Sequence, residues 1–184
     1  MKSLAAALSA LVLLCAVTAL AAPPADAKAR GQFNFYGRGA GSAMRGARES
    51  TGAFREYVRS TQPAPSQVVR EQPGETIVSP RIVQAATDEI GDYIVKSEKH
   101  LAWMRRQAEA QKDKDTLAAL DSIDRHLAAA KQHHATLCSC CLEDTVDAKA
   151  AMACCQNIDD DLGKAISEHD AIMKRLAEKQ PNAK

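Results

Sequence analysis

The pattern of apolar and polar positions changes character twice along the chain. From Leu4 to Leu20, after a lone Lys2, nearly every residue is Ala, Leu or Val, and small residues with Pro23 and Pro24 follow. This is the charged, apolar and cleavage-site layout of a secretory signal. The apolar run of about 17 residues is shorter than the roughly 20 that a spanning helix needs, so no retained membrane span is expected. Ala19-Leu20-Ala21 is the expected cleavage triplet, with Ala25-Asp26-Ala27 second, which assigns residues 1–21 to a signal peptide. Cys15 follows Leu14, whereas a lipobox needs a small residue there.

Residues 22–81 show little patterning of large apolar side chains. Gly31, Gly37, Gly39, Gly41, Gly46 and Gly52 alternate with arginines, and Pro63, Pro65, Pro73 and Pro80 punctuate a polar stretch. So few apolar residues leave ordering entropy uncompensated, and the composition predicts a disordered, low-complexity basic linker. A short helix over 49–59 is the exception, with Phe54, Tyr57 and Val58 on one side.

From Ile82 the periodicity becomes helical. Gly91 and Gly163 are the only glycines up to residue 178, Pro is absent until Pro181, and Ala, Leu, Glu, Lys and Gln dominate, all good helix formers. A first seam runs Ile90, Ile94, Ser97, Leu101, Met104, Ala108; a second runs Leu120, Ile123, Leu127, Ala130, His134, Leu137, Cys141; a third runs Ala148, Ala151, Cys155, Ile158, Leu162, Ala165, His169, Ile172, Leu176. Spacings of four and three residues are those of packed helices. The phase breaks at Lys112-Asp113-Lys114, where Asp113 or Asp115 can cap a new helix, and a second reversal is placed over 142–147 with Asp144 or Thr145 as cap. The expected fold is all-α: an antiparallel up-down-up three-helix bundle over residues 82–180, preceded by the signal peptide and the disordered segment. A single long helix forming a homodimer through its seam is the alternative.

Charge divides along the same boundary. From Lys28 to Arg81 nine Lys/Arg face four Asp/Glu, whereas the helical part to Glu178 is acidic. A basic arm of this kind suits either a solvated spacer or attraction to a polyanionic envelope component; no specific nucleic-acid partner is implied.

Export makes disulfides the default state of Cys138, Cys140, Cys141, Cys154 and Cys155, five in number, so one thiol stays unpaired. Cys140 and Cys155, like Cys141 and Cys154, lie symmetrically about a reversal between residues 147 and 148, and the expected staple uses these four. The competing reading is a copper or zinc site: His134, Cys138 and Cys141 share a helical face, with Cys155 approaching from the next helix. His100, His126 and His169 would form one layer across the three helices, a second candidate metal set with Glu168 or Asp170 beside it. Asp159, Asp160 and Asp161 read as a solvated face. Neither a G-x-S-x-G elbow, a phosphate loop nor an H-E-x-x-H helix occurs, so no enzyme is expected.

With its leader, its Gly/Arg/Tyr arm, the paired cysteines at 140/141 and 154/155 and Glu168-His169-Asp170, the chain resembles small exported helical proteins of planctomycete-type bacteria. That resemblance implies no activity. A more distant likeness is to exported copper storage proteins, helical bundles lined with cysteines; this chain has one cluster where they have a ladder.

Overall fold

A computed structural model describes residues 25–62, 75–77, 79–141 and 145–178; the expected signal peptide, residues 1–21, lies outside the described residues. Four helices follow one another: α1 (Ala25–Ser60), α2 (Pro80–Gln111), α3 (Lys114–Cys140) and α4 (Ala148–Glu178). Two three-residue strands, β1 (Glu75–Ile77) and β2 (Thr145–Asp147), pair antiparallel with Thr76 opposite Val146. They lead into α2 and α4, so the ribbon ties two connections at one end of the molecule.

The first correction is α1. Most of the segment expected to be disordered is a 36-residue helix, and the described residues form four helices, not three. Its seam is Phe33, Gly37, Ala40, Met44, Ala47, Thr51, Phe54, Val58, with the same alternation of four and three as the later helices, and every one of these positions is buried. The seam escapes notice because half of it is Gly, Ala or Thr. Those small residues are required by what lies opposite. A Cβ at Gly37 would lie 2.5 Å from Met173 Sδ, one at Gly39 2.7 Å from the His100 ring, and one at Gly46 2.8 Å from the Tyr93 ring. α1 therefore trades helix propensity, about 1 kcal/mol per glycine, for close approach to bulky side chains.

The helices alternate in direction. Arg45 and Arg48 of α1 reach Asp170 and Asp159 of α4, Arg105 of α2 reaches Asp121 and Asp124 of α3, and His126 and His133 of α3 lie near Glu168 and Asp161 of α4. With Lys131 of α3 on Glu98 of α2, in each pair of helices the numbers rise on one side as they fall on the other. α1 packs on α2 and α4, and α3 packs on the same two. The common core holds Phe54, Met44, Ile90, Leu101, Met104, Leu120, Leu127, Ile158 and Leu162; burying each large side chain contributes about 1.5–3 kcal/mol.

The reversal between α2 and α3 is tight. Lys112 takes φ 53°, the left-handed cap conformation, and its N–H donates to the Ala108 carbonyl. Asp113 then caps α3, accepting from Thr116 N at 3.0 Å and from Thr116 Oγ1 at 2.8 Å. At the start of α4 the cap differs from expectation: Asp147 accepts from Ala150 N at 3.0 Å. Thr145 belongs to β2, and Asp144 lies outside the described residues.

The basic arm finds its counter-charge within the bundle. Arg45 makes a bidentate contact to Asp170 at 2.7 and 2.9 Å, Arg48 pairs with Asp159 at 2.7 Å, and Arg55 donates to Gln156 at 3.0 Å. Two arginines of the basic segment, Arg45 and Arg48, thus face carboxylates of α4.

Candidate functional site

The sulfur-bearing end of the bundle is built where α3 stops and α4 begins. Antiparallel packing puts Cys140 and Cys154 equidistant in sequence from Asp147, as it does His133 with Asp161 and His126 with Glu168. Cys140 lies within electrostatic reach of Cys154, and Cys141 within that of Cys154 and Cys155. The reversal is centred half a residue earlier than the sequence symmetry implied, which brings Cys140 level with Cys154. The five described cysteines are free thiols: the expected staple is not closed, although two thiols from each helix meet where it would form.

Burial governs these thiols. It pushes Cys155 up to about 12, with Cys154 and Cys141 adding like-charge repulsion and Arg55 opposing them. Cys141 is pushed up to about 11 by burial, then by Cys140, Cys138 and Cys154. Cys138 and Cys154 are raised as well, again chiefly by burial. Since the thiolate is the nucleophile and the metal ligand, burial disfavours the reactive form of these four.

The first expected metal set is not assembled. Among the described residues no three His, Cys, Asp or Glu side chains are placed to hold a metal ion. His134 turns toward α2, where its Nε2 lies 2.8 Å from the Thr87 carbonyl oxygen, and Cys138 sits 3.6 Å from the same nitrogen. A carbonyl only accepts, so Nε2 carries the proton and donates. That nitrogen cannot take a proton from Cys138, so the pair is no nucleophile–base dyad. Helical spacing correctly aligned His134 with Cys138; it could not show that the α2 backbone claims the imidazole.

The histidine layer also separates. His100 lies against Gly39 and Tyr36 in the α1–α2 interface. His169 is buried with Nε2 donating to the Gly37 carbonyl at 2.8 Å and Nδ1 3.3 Å from Asp170 Oδ1. His126 faces α4, its Nε2 3.6 Å from Glu168 and its Nδ1 4.0 Å from Asp161. Equal height along the bundle did not bring these rings together because each points into a different helix pair. Burial lowers the pKa of both His169 and His100, with Asp170 opposing the shift at His169 and Lys96 reinforcing it at His100.

A polar seam between α3 and α4 was not anticipated as a unit. Ser122 donates to Glu168 at 2.8 Å, and Asp161 stands 3.7 Å from His133 and 3.3 Å from Lys164. Asp161 and Asp159 are therefore engaged, not simply solvated; the seven-residue spacing of His126/His133 and of Asp161/Glu168 was the available signal. Among the described residues no helix is long and apolar enough to cross a membrane. In comparison with known proteins, no family model, no curated protein and no solved structure matches this chain.

Proposed function

We propose that the chain is an exported, non-catalytic helical module with a structural or interaction role in the cell envelope, stapled by disulfides formed within its thiol cluster. The observation that carries this reading is the meeting of Cys140 and Cys141 from α3 with Cys154 and Cys155 from α4. Export rests on the leader-like residues 1–21. The step needs a disulfide oxidant: two thiols and one small-molecule disulfide yield one protein disulfide and two released thiols. The short loop closed between Cys140 and Cys154 corresponds to about 3 kcal/mol of stabilisation.

Equilibration of the protein with oxidised and reduced glutathione, followed by alkylation and peptide mass mapping, tests it. The expected product bridges α3 to α4 through these four residues, leaves Cys138 alkylatable, and melts on the order of 10 °C higher than the reduced form. Five alkylatable thiols at every redox poise would defeat the staple. So would copper or zinc retained by the purified protein and lost on Cys141→Ser with Cys155→Ser.

A further inference from the structure

Phe35 is the most exposed of the large apolar side chains described, 68 % accessible in the middle of a helix that is otherwise firmly packed. It is not loose. Its ring meets Tyr36 edge to face at 5.3 Å, and Tyr36 stacks on Trp103 of α2 at 4.0 Å. This places a pre-oriented aromatic face beside a groove of about 660 Å³ between α1 and α2, bordered by Asn34, Phe35, Arg38, Gly39, Lys96 and His100. Gly39 lets the His100 ring press against the α1 backbone, so the imidazole forms part of the groove wall.

The charge of this groove sets it apart. The groove beside Arg45 and Arg48 carries Glu49 and Asp159, the one beside Arg30 and Lys112 carries Asp113 and Asp115, and the other groove that Lys96 borders carries Asp88, Glu89 and Asp92. No carboxylate lines the groove of Arg38, Lys96 and His100. Arg45 and Arg48 of α1 are held by α4 carboxylates; Arg38 and Lys96 have no ion-pair partner among the described residues. Two cations outside any ion pair, a ring nitrogen and an amide beside an exposed aromatic face complement an anion joined to a flat apolar group.

We infer that this groove binds an organic anion of that kind, an aryl phosphate or sulfonate, with Arg38 and Lys96 on the charged group and Phe35 against the ring. The groups facing His100 are Lys96 on its own helix and Arg38 and Tyr36 on α1. A bound anion favours the imidazolium form, so occupancy raises the pH at which His100 titrates, and affinity rises as pH falls.

The test is a titration of the intact protein with phenyl phosphate and, in parallel, with inorganic phosphate, following the His100 ring resonances by NMR. Phenyl phosphate is expected to bind at least about tenfold more tightly than inorganic phosphate, a difference of about 1.4 kcal/mol, and to move the His100 titration upward. Arg38→Gln with Lys96→Gln is expected to weaken both anions by about tenfold, consistent with the size of charge-assisted contacts. Phe35→Ser removes only the preference for the phenyl ester. These side chains are exposed, and circular dichroism verifies that each variant folds. Equal affinity for the two anions, a His100 titration that does not move, or binding indifferent to loss of Arg38 and Lys96 would each overturn the assignment.

Discussion

Glycine has two opposite meanings within a single helix here. Gly41 is buried, and a Cβ there would sit 2.9 Å from the His169 ring and 3.0 Å from Arg45, whereas nothing lies within 4 Å of one at Gly52. Gly41→Ala is therefore expected to destabilise by about 1–3 kcal/mol through overpacking, and Gly52→Ala to stabilise by up to about 1 kcal/mol through helix propensity; chemical denaturation of the two variants measures both signs. His169 adds a pH dependence. Its folded pKa lies below the ordinary value, so the unfolded chain binds more protons in the acid range and stability falls as pH drops through about 6.5 toward the folded value. His100 acts in the same direction, and His169→Gln is expected to flatten the profile between about pH 6.5 and the acid limb. The thiols act at the other extreme. With Cys141 and Cys155 raised to about 11 and about 12, the reduced protein loses stability as pH rises above about 9, and Cys155→Ala is expected to reduce that alkaline loss in denaturation curves.

At the scale of elements, the helices after residue 82 were legible because Ile90, Leu101, Leu120, Leu127, Ile158 and Leu162 announce their seams with large side chains, and all are buried. The turn at Lys112-Asp113 was legible for a separate reason: the phase of the seam breaks there and a capping residue stands at the break. Asp113→Ala is expected to cost about 1 kcal/mol in thermal or urea unfolding. α1 was hidden because composition argued for disorder while position argued for helix. Its buried side is made of Gly37, Ala40, Ala47 and Thr51 as much as of Phe33, Met44 and Phe54, and small residues look weak until their neighbours are known. The same lack of knowledge about facing elements explains the candidate sites. The hairpin that brings the cysteines together follows from the seams of two adjacent helices, but whether His100, His126 and His169 converge depends on rotation about each helix axis, which periodicity sets only roughly.

For the whole molecule, α1 is the fourth wall of the bundle. A chain beginning at Pro80 would expose the faces of α2 and α4 that Phe33, Met44, Phe54 and Val58 cover. It is expected to unfold without a cooperative transition in scanning calorimetry, and to bind an apolar dye that the longer chain ignores. A sharp transition at an unchanged temperature would show that three helices suffice. The division of charge acquires a whole-molecule meaning too. Arg45 and Arg48, themselves half-exposed, hold α1 to α4 through Asp170 and Asp159, contacts that contribute little individually but favour this pairing of helices over the reverse.

The tight reversal at Lys112 and the first and last turns of the outer helices all border one cavity, lined by Arg30, Phe33, Lys112, Thr116 and Leu176. The chain therefore enters and leaves the bundle at the same pole, and the ribbon with its neighbouring sulfurs occupies the opposite one. At 1.5 Å per residue, α1 alone separates the poles by about 54 Å. Anything that grips the start of α1 would hold the protein like a stalked lamp, with the thiol-bearing end at the tip, farthest from the point of attachment.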